Sequence, residues 1–248
     1  MDNNEFFQSF VTDEPFLVNA IGNGEISLVS MLIKHGANVN AKDDNGETAL
    51  MRASRYGYIE IVTLLLDEGA DVNAKDDNAK TAIMWASVSG HTDIMKILVE
   101  NGADVNKQAR FMKNPLSVVA GSPHIAAAKL LIANGAEMKA VWNGGFLTHE
   151  AVFWKQPKML EFILNELKVD PDLKAQNGST ALHWAINNMN RGETEANKPY
   201  LESVKVLLKH GANPNLRFRQ NNNNRSAIEL AMSLGLDGVV ALLNKKPS

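Results

Sequence analysis

The chain of 248 residues contains no cysteine, which excludes a disulfide framework and any thiolate metal site. Positive charge is not in excess either. Lys and Arg number 25 against 28 Asp and Glu, a net charge of -3, whereas phosphate binding needs a basic stripe. Nucleic acid is therefore not expected as the main partner. No stretch is apolar enough to span a bilayer, so membrane insertion is not expected, and Met1 to Phe7 has neither the basic start nor the apolar core of a secretory leader. The expected setting is the cytoplasm, with leaderless secretion as the alternative. Phosphate loops, dinucleotide fingerprints and serine nucleophile elbows are also missing, and no cofactor is expected.

What the sequence has instead is recurrence. Gly69-Ala70-Asp71-Val72-Asn73 returns as Gly36-Ala37-Asn38-Val39-Asn40, Gly102-Ala103-Asp104-Val105-Asn106, Gly135-Ala136-Glu137-Met138 and Gly211-Ala212-Asn213-Pro214-Asn215. The glycines at 36, 69, 102 and 135 are 33 residues apart. One further step lands on Lys168, ahead of the degraded copy Val169-Asp170-Pro171-Asp172. Each glycine follows an apolar helical run such as Val62 to Leu66, where a left-handed C-terminal cap is wanted. Twelve residues on, a threonine reads as the N-cap of another helix: Thr48, Thr81 and, after Lys168, Thr180.

Thr180-Ala181-Leu182-His183-Trp184-Ala185 and Gly69 to Ala74 resemble the two halves of the ankyrin-repeat consensus, and the resemblance covers residues 15 to 243. It implies an all-α solenoid of stacked helix-turn-helix units with short β-turn or hairpin connections, elongated and monomeric. The reading is a lead-in over 1–14 and a single domain over 15–248, with repeats at 15–47, 48–80, 81–113, 114–146, 147–179, 180–225 and a cap at 226–248. No helix pair can bury its apolar face alone, so neighbours share a core. Ala53, Ala86 and Ala185 mark close helix approach, while Leu65, Leu98, Leu131 and Leu207 fill the layers between repeats.

The first helix pair is expected to start at Pro15, and repeats two and three are the cleanest. The fourth opens on Asn114-Pro115. In the fifth, Phe146 replaces the threonine and Gln156-Pro157 reads as a turn one residue longer. In the sixth, residues 187–199 read as an exposed polar insertion before a helix resumes at Leu201. The last connection, 216–225, is over-long and carries Asn221 to Asn224. Residues 187–199 and 219–225 are both expected to be mobile and dispensable.

The six histidines fall in repeat-equivalent pairs, His35 with His210, His91 with His124 and His149 with His183, which suits structure better than the convergence that ligands or catalysis require. Lys42-Asp43-Asp44-Asn45-Gly46 and Lys75-Asp76-Asp77-Asn78 superficially suggest calcium loops but lack the terminal glutamate. No metal site and no catalytic residue is assigned.

Recognition remains: a noncatalytic protein-binding module, adaptor or effector. An enzyme subunit using His149 and Glu150 of the altered fifth repeat, or a small-ligand receptor around the tryptophans, are the alternatives. The resemblance implies binding on the concave face, made by the connection tips and the end of each first helix. By register that gives Asp44, Asn45, Glu47, Arg55 and Tyr56 in repeat two, and Asp77, Asn78, Lys80, Val88 and Ser89 in repeat three. Repeat four gives Arg110, Phe111 and Lys113, and repeat five gives Trp142, Asn143, Gly145, Phe153 and Trp154. Partner-binding is assigned to Arg55, Tyr56, Arg110, Phe111, Lys113, Trp142, Asn143, Phe153 and Trp154, centred on repeats four and five, because aromatic anchors concentrate binding energy. The competing reading buries these rings between degraded repeats. Trp85 and Trp184 are expected to be half-buried and to serve packing.

Overall fold

The computed structural model describes residues 16–110, 113–137, 146–189, 195–220 and 223–245. Pro15, the expected first helical residue, lies outside them. Helices alternate in pairs along the chain: α1 Phe16–Ala20 and α2 Ile26–Lys34, α3 Ala49–Tyr56 and α4 Ile59–Asp67, α5 Ala82–Ser89 and α6 Thr92–Glu100, α7 Pro115–Ala120 and α8 Ile125–Ala133. Then follow α9 Leu147–Phe153 and α10 Pro157–Glu166, α11 Ala181–Asn187 and α12 Lys198–Lys209, and α13 Ala227–Leu234 and α14 Asp237–Leu243. The all-α helix-turn-helix architecture is as the 33-residue recurrence requires.

The backbone groups into two compact units, residues 1–115 with 126–137, and residues 116–125 with 138–248. In the first, α3 packs on α5 and α4 on α6, so first helices stack on first helices and second on second. Ala53 and Ala86 are fully buried where α3 meets α5, and Leu65, Leu98 and Leu131 are fully buried on the second helices. The second unit repeats the scheme, α9 on α11 on α13 and α10 on α12 on α14, with Ala185 and Leu207 fully buried. An alanine brings the helices close, and truncating one of the leucines costs about 2–5 kcal/mol.

Three sets of hydrogen bonds order the connections of the first unit, and two of them tie neighbouring connections together. An aspartate or asparagine side chain closes each turn on itself, Asp71 Oδ1 accepting from Asn73 N–H at 2.9 Å and Asp104 Oδ1 from Asn106 N–H at 2.8 Å. The next asparagine then reaches across: Asn73 Nδ2–H donates to Gly102 O at 2.9 Å while its Oδ1 accepts from Asp104 N–H at 2.8 Å. Asn40 and Asn106 make the same pair of bonds to Gly69 and Asp71, and to Gly135 and Glu137. At the tips, Asp77 N–H donates to Asn45 O and Arg110 N–H to Asn78 O. In the second unit the reaching residue is Asp172, a carboxylate that accepts from Asn213 N–H but has nothing to donate.

The expected hydroxyl caps hold only in part. Thr48 Oγ1 accepts from Met51 N–H at 3.4 Å, and Ser226 and Glu229 form a reciprocal cap. Thr81 Oγ1 is buried without a hydrogen-bond partner, and Thr180 Oγ1 meets His183 Nδ1 at 2.8 Å. A ring three residues into the helix has displaced the amide there. The turn before Pro157 runs over 154–156, one residue longer than 57–58 and 90–91, because α9 ends a residue earlier than α3 and α5. Lys155 still stands nine residues after Phe146, as Gly57 does after Thr48, and α10 is also longer, with 10 residues against 9 in α4.

Both insertions depart from expectation. The helix resumes at Lys198 rather than Leu201, preceded by a 3-10 turn over Glu195–Asn197, and both Met189 and Asn197 are buried, so the ends of this insertion pack on the repeats, while 190–194 lie outside the described residues. The last connection forms an antiparallel hairpin, β1 Arg217–Gln220 with β2 Asn223–Ser226, pairing Arg217 with Ser226 and Phe218 with Arg225. Phe218, one residue ahead of the 219–225 stretch, is 5% exposed and packs on His183 with ring centroids 4.5 Å apart, so the apolar anchor of the hairpin lies just outside that polar run. Strand alternation turns Phe218 inward although its neighbours are polar.

Candidate functional site

Counting from the residue that opens each first helix places side chains of neighbouring repeats against one another. The residue just before the opening faces the residue four after it. In repeat two this pair is Glu47 and Arg52, an ion pair at 3.3 Å, and in repeat three it is Lys80 and Trp85, the ammonium 4.0 Å from the ring centroid. In repeat six it is Ser179 and Trp184, the indole N–H donating to Ser179 Oγ at 2.8 Å. One backbone geometry thus serves an ion pair, a cation on a ring and a neutral hydrogen bond.

The residue seven after the opening leans on the ring four after the next opening. In the first unit this is Arg55, whose guanidinium carbon lies 4.6 Å from the Trp85 centroid and whose Nη1 is 3.7 Å from Glu47. Arg52 engages Asp43 at 2.5 Å and shares Glu47. Tyr56 follows, 49% exposed and 5.9 Å from Tyr58. In the second unit the same relation holds between Phe153 and Trp184, with centroids 6.1 Å apart.

Trp154 extends the patch. Its ring stands edge-on to Phe153 at 5.3 Å, its Nε1–H donates to Glu150 Oε2 at 3.2 Å, and it lies over Gly121, where any Cβ would come within 2.5 Å of the indole. Phe153 and Trp154 are nonetheless 44% and 51% exposed. Their rings are not core filling, and the reading that buries them does not describe them. Such exposure is costly in water, and here it is combined with a fixed orientation.

His149 and Glu150 do not form a dyad. His149 Nδ1 accepts from Phe146 N–H at 3.3 Å and its Nε2–H donates to Ser179 O at 3.2 Å, so both ring nitrogens are spent on structure. His183 does the same between Thr180 N–H and Leu216 O at 3.2 and 3.0 Å. Burial lowers both imidazoles from 6.5 to about 4, against the opposing pull of the carbonyls they donate to. The Asp-rich connections are similarly committed. Asp43 Oδ1 accepts from Asn45 and Glu47 N–H, and Asp76 Oδ1 from Asn78 and Lys80 N–H.

Of the residues assigned from sequence, Phe153 and Trp154 come together in the second unit, and Arg55 and Tyr56 are neighbours in the first. Arg110 is exposed and Lys113 half-buried in the first unit. Phe111, Trp142, Asn143 and Gly145 lie outside the described residues. Trp184, assigned to packing, is half-buried but forms one wall of the exposed patch, and Glu150 orients Trp154. The register between consecutive openings was the available signal for Trp184. Nothing in the sequence announced that Gly121 would lie under Trp154.

Among the described residues no helix is long and apolar enough to cross a membrane. No curated protein matches this sequence. The chain is similar to the human ASB11 ankyrin repeat domain, seen in a crystal structure, at 25% identity, with 94% of this chain and 99% of that one covered and a TM-score of 0.75. The family model for ankyrin repeats in three copies matches residues 3–76, 83–175 and 148–248. With stacked helix pairs, recurring capped turns and that match over most of its length, the chain belongs to the ankyrin-repeat family.

Proposed function

We propose that this protein is a noncatalytic recognition module of adaptor or effector type, and that it grips a protein partner through the Phe153, Trp154 and Trp184 patch. Ankyrin repeats are generally protein-interaction modules, which sets the class. The observation that carries the placement is that Trp154 is half exposed yet held, by Glu150 at its nitrogen and Gly121 beneath its ring. A ring already ordered in the free protein loses little entropy on binding, and tryptophan is enriched among residues that dominate interfaces. The partner presents an apolar side chain to these rings. The engagement of His149 by two backbone groups supports a binding role over a catalytic one.

The test is affinity capture with wild-type protein and the Trp154→Ala and Phe153→Ala variants in parallel, followed by titration of the retained protein. Each variant is expected to weaken binding by about 2 kcal/mol, roughly thirtyfold, with an unchanged unfolding midpoint. A partner retained equally by all three proteins would overturn the placement.

A further inference from the structure

We infer that the first unit carries a second recognition site, independent of the aromatic patch, in which Arg55 and Lys80 on the Trp85 ring receive a carboxylate from an acidic segment of a partner protein. Two cations lie over one indole, Lys80 Nζ at 4.0 Å and the Arg55 guanidinium at 4.6 Å from its centroid. The ring attracts each cation and holds both beside one indole, where an incoming carboxylate meets positive charge from two side chains.

The local carboxylates do not supply that anion. Glu47 divides itself between Arg52 at 3.3 Å and Arg55 at 3.7 Å, and Asp43 is taken by Arg52 at 2.5 Å. Among the described residues none of Asp44, Asp76 and Asp77 pairs with Arg55 or Lys80, and Lys80 makes no ion pair. Arg52 and Arg55 therefore take up both carboxylates, and the uncompensated charge sits at Lys80.

The surroundings suit a peptide. Tyr56 is 49% exposed and Val88, at the position in repeat three that Arg55 holds in repeat two, is 40% exposed. They offer a ring and an apolar contact beside the cations, so the favoured segment places a small apolar residue next to its glutamate or aspartate. Arg55 is also steadied from behind, since its carbonyl bonds His91 Nε2 at 3.2 Å.

The test uses the full chain labelled for NMR and a short peptide with several glutamates spaced among alanine and leucine, beside its glutamine counterpart and inorganic phosphate. The glutamate peptide is expected to shift the Arg55 Nε–H, the Lys80 Cε and the Trp85 indole resonances saturably. Arg55→Gln or Lys80→Gln should each weaken it about tenfold, as loss of a hydrogen bond to a charged group does. Binding should persist in Trp154→Ala, so that this site and the aromatic patch stand or fall separately. No saturable shift at millimolar peptide, equal binding of the glutamine peptide, or phosphate occupying the same residues as tightly would each overturn it.

Discussion

The Arg55 guanidinium lies 4.6 Å from the centre of the Trp85 ring. By repeat register it does in the first unit what Phe153 does to Trp184 in the second, 6.1 Å away. The same backbone slot therefore accepts a cation or an aromatic ring. Phe153→Arg is expected to leave the unfolding free energy within about 0.5 kcal/mol, because a cation on Trp184 replaces the ring contact. It should abolish capture of an apolar partner. Equilibrium denaturation and titration on the same variant check both halves.

Stability should fall on acidification well above the range in which carboxylates titrate. In the unfolded chain His149 and His183 take up protons near 6.5, whereas folded they hold out to about 4. Their stabilising contribution is complete above 6.5 and is lost as pH falls toward 4, because the unfolded state binds more protons throughout that window. Each histidine contributes a loss of about 3 kcal/mol across it. Urea titrations from pH 7.5 to 4 should show this slope, and a His149→Gln, His183→Gln double variant should start less stable and lose the slope between 6.5 and 5.

Among the described residues three non-glycine residues have positive φ, and each stands where other repeats place glycine: Ala79 at 58° opposite Gly46 and Gly178, Lys155 at 59°, and Lys168 at 53°. A Cβ in that region costs about 1–2 kcal/mol, partly offset by the entropy a glycine loses on folding. Ala79→Gly and Lys168→Gly should each raise stability by about 0.5–1 kcal/mol. Gly46→Ala should lose more, since its Cβ would also stand 2.6 Å from Asp77 Oδ1. Denaturant midpoints of the three variants decide the matter.

Asn73 donates to Gly102 O and accepts from Asp104 N–H, so Asn73→Ala should cost about 1–2 kcal/mol. Asp172 holds the equivalent place without a donor, and burial pushes its carboxyl above the usual range despite the Asn213 amide. Asp172→Asn should therefore stabilise the second unit at neutral pH by about 0.5 kcal/mol, chiefly by supplying an N–H for Gly211 O, since solvent screens most of the charge effect at this carboxylate. A lower midpoint for Asp172→Asn would contradict the ladder in that unit.

Phe218 sits in a strand of Arg, Gln and Asn yet is 5% exposed against His183. Phe218→Ala should cost about 3–5 kcal/mol and admit water to the imidazole, raising the His183 pKa. NMR titration of the His183 ring, beside thermal unfolding, reads both effects.

The sequence alone determined the helix pairs, their order and their period, because capped turns and apolar runs are local features repeated at a fixed interval. It also determined the buried leucines and alanines, Leu65, Leu98, Leu131 and Leu207 with Ala53, Ala86 and Ala185, since in a repeat protein each position inherits its neighbours from the same register. Where two residues from different repeats meet, only the tertiary structure decided. Trp154 keeps its orientation because Gly121 leaves room for the indole and Glu150 takes its N–H, and Thr180 Oγ1 meets His183 Nδ1 while the far ring nitrogen reaches Leu216 O of the next connection. The polar run at 216–225 hid a hairpin for the same reason. A strand needs only one inward residue, and whether Phe218 finds something to cover depends on a histidine 35 residues earlier.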